Sequence, residues 1–133
     1  MNIKVLIADD DFDNRTIVQE ALAASDYVVL SAADGQEAWQ RIQTDKPDII
    51  LLDLSMPKLN GWDLARRVRQ DPALSHLKLI AFTAHALAGA EVKAKAAGCD
   101  DYIAKPCLPK DVVARVNSWV EQTRELGAKT PAV

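Results

Sequence analysis

The residues of this chain that could do chemistry together are a run of acids, Asp9-Asp10-Asp11, and three side chains far from it in sequence, Asp53, Thr83 and Lys105. Each follows a short, mostly apolar run of strand character: IKVLIA at 3–8, DIILL at 48–52, LKLIAF at 77–82 and DYIA at 101–104. If those runs are parallel strands, their ends face the same way and the side chains behind them converge. Carboxylates gathered like this repel, each pair at about 4 Å costing about 4 kcal/mol at an effective dielectric of about 20. Such a cluster either raises a pKa or recruits a cation. Oxygen ligands and an incomplete coordination shell favour magnesium, a hard ion that keeps several waters and binds phosphate oxygens. A plainer account lets Asp10 and Asp11 cap the following helix and Asp53 cap a turn. It suffices for any one of these acids, but not for all of them together with a hydroxyl and a lysine at the two remaining strand ends.

The elements that must bring these residues together are marked by alternating periods. A further apolar run, YVVLSA at 27–32, completes five strand candidates, each followed by a stretch of helical spacing. The first helix is predicted over 12–24, with Ile17, Val18, Ala21 and Leu22 as its apolar stripe and Asp11 at its N-terminus. The second, 35–43, gathers Ala38, Trp39 and Ile42 and is stopped by Pro47. Leu64, Ala65 and Val68 mark a third over 61–70, and Val92 among alanines marks a fourth over 86–97, closed by Gly98. The fifth, 109–122, carries Val112, Val113, Val116, Trp119 and Val120 behind a Pro at its first position. Residues 123–133 lack periodicity and are expected to form a frayed tail. Strands alternating with helices imply a (βα)5 doubly wound parallel sheet of the α/β class, with any ligand at the carboxyl ends of the strands.

Composition sets the outer limits. A length of 133 residues suits one domain, and 49% apolar with 26% charged residues suits a folded core rather than disorder. A formal charge of -3 has the wrong sign for direct nucleic-acid binding. No apolar run reaches the roughly 18 residues of a membrane span and no signal peptide opens the chain, so no membrane insertion and a cytoplasmic location are expected. Cys99 and Cys107 have neither a CxxC partner nor a histidine at ligand spacing, and read as reduced thiols.

Four motifs together, VLIADDD at 5–11, LLDLSMPKLNGWD at 51–63, FTA at 82–84 and YIAKP at 102–106, resemble the receiver domain of two-component response regulators, the CheY-like family. The resemblance runs from Ile3 to about Gln122. It implies strand order 2-1-3-4-5, with Asp53 as the phospho-accepting nucleophile. It also implies magnesium held by Asp9, Asp10, Asp53 and the backbone carbonyl of Ser55. Lys105 and Thr83 would each take a phosphoryl oxygen, and Ala84 would be small so that nothing obstructs them. Thr83 would signal to Tyr102, shifting the face made by the fourth helix, fifth strand and fifth helix toward a protein target. Pro106 would follow a cis peptide. Pro57 and Gly61 look like turn residues after Asp53, Gly61 being the expected place for a backbone angle that other residues resist.

Implied partners are a histidine kinase or histidine phosphotransfer protein as donor and a downstream protein as target. The motifs look most like single-domain regulators of the DivK type or receivers cut from hybrid kinases, with no output domain expected after Gln122. The bland alternatives are a snorkelling Lys105, a Thr83 that is merely a β-branched strand residue and a half-buried core Tyr102. His85 and Ser55 stand where side chains tune water's access to an acyl phosphate. A phosphatase of the haloacid-dehalogenase kind needs an acid two residues after its aspartyl nucleophile, where this chain has Ser55. A receiver-like scaffold that is never phosphorylated is the other alternative, and an intact site argues against it.

Overall fold

Strands covered on both faces should be apolar along their whole length, and the central ones are. In the computed structural model, which describes residues 3–54, 56, 58–84 and 89–129 (backbone alone beyond 122), Val5 to Ala8 and all of Ile49–Leu52 are buried. Strands β1 (Lys4–Ala8), β2 (Val28–Ala32), β3 (Ile49–Leu52), β4 (Lys78–Thr83) and β5 (Asp101–Ala104) form one parallel sheet in the order β2-β1-β3-β4-β5. Ala8 lies level with Ala32 and Leu52, Leu52 with Ala81, and Thr83 with Ala104. This register brings the residues after β1 and β3 side by side and sets Thr83 and Lys105 next to them.

Alternate strand residues feed two cores, as the pleat requires. On one face Val5, Ile7, Leu51, Ile80 and Phe82 pack with Val18 and Leu22 of α1 (Phe12–Ala24) and Val112, Val116 and Val120 of α5 (Pro109–Lys129). On the other, Leu6, Ile50, Leu52 and Leu79 pack with Ala38 and Ile42 of α2 (Gly35–Asp45), Leu64 and Val68 of α3 (Gly61–Gln70), and Ala94 of α4 (Ala90–Ala96). Polar caps start the helices nearest the site: Asp11, Asp34 and Asn60 accept from the backbone N–H of Asn14, Glu37 and Asp63.

Several sequence expectations need correction. Ile17 is 52% exposed, because α1 meets the sheet along the narrow line of Val18 and Leu22, and a residue one step earlier on the helix is turned about 100° away. Val92 is 72% exposed; Ala90 and Ala94 are what α4 buries. The helix begins at Ala90, after Gly89 in the left-handed region at φ 83°, while the expected start at 86 lies outside the described residues. Gly98, at φ 116°, closes α4 as its position suggested. The fifth helix does not end at 122 but continues to Lys129: Arg124, Glu125, Leu126 and Ala128 are strong helix formers even without an apolar stripe. Residues 130–133 of the expected tail lie outside the described residues.

The β5–α5 contact carries a pH-dependent link. Arg115 donates to both carboxylate oxygens of Asp101 at 2.8 and 2.9 Å, and the Trp119 indole N–H adds a bond of 2.8 Å. Burial alone would raise the pKa of Asp101, but these donors and the Tyr102 N–H outweigh it and hold the carboxyl below its ordinary value. A depressed folded pKa means that the stabilisation is complete above about pH 4 and fades as pH falls through the folded value. Asp101→Asn should therefore cost about 1 kcal/mol at pH 7, screened because Arg115 is half exposed, and much less near pH 2. Urea denaturation at both pH values checks this; an equal loss at both would show that the charge is irrelevant.

Candidate functional site

The sheet register delivers four strand ends to one place. The backbone N–H of Asp9 donates to Ala32, that of Asp53 to Ala8 and that of Lys105 to Thr83, so each side chain leaves the sheet edge from a backbone already fixed. Asp9 is 1% exposed, Asp53 5% and Thr83 fully buried, whereas Asp10 is exposed. Carboxylate oxygens of Asp9, Asp10 and Asp53 all lie within 4.8 Å of one another.

Two donors reach into this acid cluster. The Lys105 ammonium donates to Asp9 Oδ2 at 2.6 Å and to Asp53 Oδ2 at 3.3 Å, and its Nζ sits 5.2 Å from the centre of the Phe82 ring. The Thr83 hydroxyl donates to Asp53 Oδ1 at 3.3 Å. Burial disfavours the charged form of Lys105, but the hydrogen bond to Asp9 and the charges of Asp53 and Asp9 outweigh it, and its pKa rises above the usual lysine value. The lysine thus stays an ammonium, and one ammonium still faces three carboxyl groups. An all-oxygen donor set with an excess of acid, partly open to solvent through Asp10, fits a hard divalent cation of the magnesium kind.

The other expected residues fall around this centre. Ala84 follows Thr83 and is exposed, and the Lys105–Pro106 peptide is cis. Tyr102 is half-buried against the core on the α4 side of the sheet. Ser55, Pro57 and His85 lie outside the described residues. Gly61 is needed for a different reason from the expected one. Its backbone is not left-handed; a Cβ there would stand 2.6 Å from the Asp53 carbonyl oxygen, so it is space beside Asp53 that demands glycine. Among the described residues of that loop, Lys58 is the left-handed one, at φ 68°.

Several residues that shape the site went unread in the sequence. Asn14 Nδ2 donates to Asp9 Oδ2 at 2.5 Å, and the Arg15 guanidinium donates to the Asp9 carbonyl at 2.7 Å. A polar amide in the first turn after a strand-end acid is the only signal for Asn14, and it is a common arrangement. Gly35 carries α2 against the β3–α3 loop, where a Cβ would overlap the Leu59 carbonyl oxygen at 1.6 Å. Beside it Lys58 pairs with Asp34 at 3.4 Å.

Comparison with known proteins gives this geometry a family. A sequence model of the response regulator receiver domain matches residues 5–117. The alkaline phosphatase synthesis transcriptional regulatory protein PhoP of Bacillus subtilis is 37% identical over 123 residues, which is 92% of this chain and 50% of PhoP. The phosphate regulon transcriptional regulatory protein PhoB of Pseudomonas aeruginosa is 34% identical over 127 residues, 96% of this chain and 56% of PhoB. This chain spans about half the length of the curated relatives it matches. Among solved structures, the chemotaxis response regulator CheY4 of Vibrio cholerae superposes with a TM-score of 0.83 at 27% identity, over 89% of this chain and 98% of that one. A CheY-like receiver domain protein from Methanospirillum hungatei gives 0.87 at 25% identity, over 94% and 98%. Among the described residues no helix is long and apolar enough to cross a membrane. The acids at the ends of β1 and β3, the hydroxyl on the last residue of β4 and the lysine after β5 are set out on a matching fold, and the chain belongs to the response regulator receiver domain family.

Proposed function

We propose that Asp53 accepts a phosphoryl group from a phosphohistidine on a histidine kinase or phosphotransfer protein, and that the resulting acyl phosphate switches the binding of a downstream protein. The observation that carries this reading is the bridging of Asp9 and Asp53 by one ammonium, with a buried hydroxyl on the other oxygen of Asp53. An Asp53 carboxylate oxygen attacks phosphorus, the P–N bond to the donor imidazole breaks, and the imidazole leaves with its bonding electrons and takes up a proton. Asp9, Asp10 and Asp53, joined by the Ser55 carbonyl that the resemblance adds, would hold magnesium. When bound, it supplies positive charge that offsets both the carboxylates and the phosphoryl oxygens.

The chain's own residues do the rest. Lys105 exchanges its carboxylate partners for a phosphoryl oxygen, whose own negative charge favours the ammonium in their place. The Thr83 hydroxyl turns from Asp53 Oδ1 to another phosphoryl oxygen. Thr83 is on β4 next to β5, where Tyr102 pairs with Ala81, so its displacement is passed to the Tyr102 side chain and to the face formed by α4, β5 and α5. α4 has the weak anchoring a movable element needs, since its described buried residues are alanines. The family makes this chain a signalling switch, and we infer a cytoplasmic location for it.

Incubation with magnesium and acetyl phosphate, read by intact mass, tests the proposal. The parent should gain one phosphoryl group and Asp53→Asn none, a loss of at least about 100-fold in labelling. Equal labelling of the variant would move the nucleophile elsewhere.

A further inference from the structure

We propose that Asn14 is a positioning residue for Asp9, holding that carboxylate in its cation-binding orientation when Lys105 turns away to the phosphoryl group. The inference rests on the reading above of Asp9 as a magnesium ligand and Lys105 as the phosphoryl partner.

The χ2 torsion of an aspartate is soft, so the direction of its oxygens is decided by whatever donors they meet. Asp9 Oδ1 is held by the Asp11 backbone N–H at 2.9 Å. Oδ2 is shared by two donors of different kind, Lys105 Nζ at 2.6 Å and Asn14 Nδ2 at 2.5 Å. Lys105 is charged, ends a flexible side chain and also reaches Asp53, so it is the donor that an arriving phosphoryl group draws off. Asn14 is neutral and has no such competing attraction.

Asn14 is also the better fixed of the two. Its backbone N–H donates to the Asp11 side chain at 3.1 Å, inside the cap that starts α1. The next residue, Arg15, reaches back to the Asp9 carbonyl, and its own N–H donates to the Asp11 carbonyl at 2.9 Å. The first turn of α1 thus grips Asp9 at the carbonyl and at Oδ2, while Asp11 grips Oδ1. Hydrogen bonds of this sort to a metal-binding side chain set affinity through orientation, and losing one lowers metal affinity by about 10- to 100-fold.

Isothermal titration with magnesium chloride of the full chain, its Asn14→Ala variant and its Asn14→Leu variant is the test. Leucine keeps the branching and the number of heavy atoms of asparagine and suits a helix, so it carries the comparison if alanine loosens the turn. Both variants should bind magnesium about tenfold more weakly, with melting temperatures in its absence close to that of the parent. The magnesium concentration giving half-maximal acetyl phosphate labelling should rise by the same factor, while labelling at saturating magnesium approaches the parental level. Unchanged magnesium affinity in either folded variant would overturn the proposal, as would lowered melting temperatures with unchanged affinity, which would leave Asn14 a part of the fold only. A parent that neither binds magnesium nor takes up phosphate would instead sink the reading of the site as a receiver.

Discussion

Lys105→Met should slow phosphoryl transfer from acetyl phosphate by about 100-fold at saturating magnesium, the typical loss when one donor to a developing anion is removed. Methionine fills most of the lysine stem's volume, so the comparison isolates the ammonium. The parent keeps that ammonium charged because Asp9 and Asp53 lie 2.6 and 3.3 Å away and outweigh its burial. Removing it has a second consequence of opposite sign. Asp9 Oδ2 is released from a competing cation, so magnesium should bind the variant more tightly even as the reaction slows. Stopped quench with intact mass gives the rate and titration calorimetry gives the affinity. A rate within about threefold of the parent would take Lys105 out of the phosphoryl-binding machinery.

Gly35→Ala should destabilise the fold by about 3 kcal/mol, the upper end of what forced overpacking costs. The added Cβ would meet the Leu59 carbonyl oxygen at 1.6 Å and its carbon at 2.5 Å, which no side-chain rearrangement relieves because both atoms are backbone. The β3–α3 loop must move, and with it the Lys58–Asp34 pair at the start of α2. Gly89→Ala is the control. That glycine has φ 83° but open space around it, so its cost is the backbone preference alone, about 1 kcal/mol. Thermal melts should separate the two by several degrees; equal shifts would mean that the α2–loop contact yields easily.

The fold was readable because burial on both sides writes β1, β3 and β4 as near-continuous apolar runs, with acids or a hydroxyl where each run stops, and a lysine follows the shorter β5. The same alternation located the site, since a parallel sheet collects its carboxyl ends. Side-chain rotation within a helix was less legible. Ile17 has the hydrophobicity of a core residue, yet the narrow α1–sheet contact spends its buried positions on Val18 and Leu22. The length of α5 was hidden because propensity, not pattern, carries it to Lys129.

Contacts that depend on two distant backbones left no mark at all in the sequence. Gly35 reads as an ordinary residue after a cap until Leu59 is placed against it. Arg69 reads as one more surface cation on α3. In the fold its guanidinium donates to the carbonyls of Gly98, Ser75 and Leu77, each at 2.7 Å, and to the Asp100 carboxylate at 2.5 Å. It ties the C-terminal end of α4 to α3, and Gly98 leaves room for it, since a Cβ there would stand 2.4 Å from Arg69 Cγ. Asn14 belongs with these residues: its amide is meaningful only once the Asp9 carboxylate is known to face it.

Borohydride reduction followed by peptide mapping locates the modified atom directly. An aspartyl phosphate is reduced to homoserine whereas a free aspartate is not, so the protein treated with magnesium and acetyl phosphate should carry homoserine at position 53 and nowhere else. Homoserine at position 9 or 10, or a phosphate on Thr83 that survives reduction, would contradict the assignment of Asp53 as the phosphoryl acceptor.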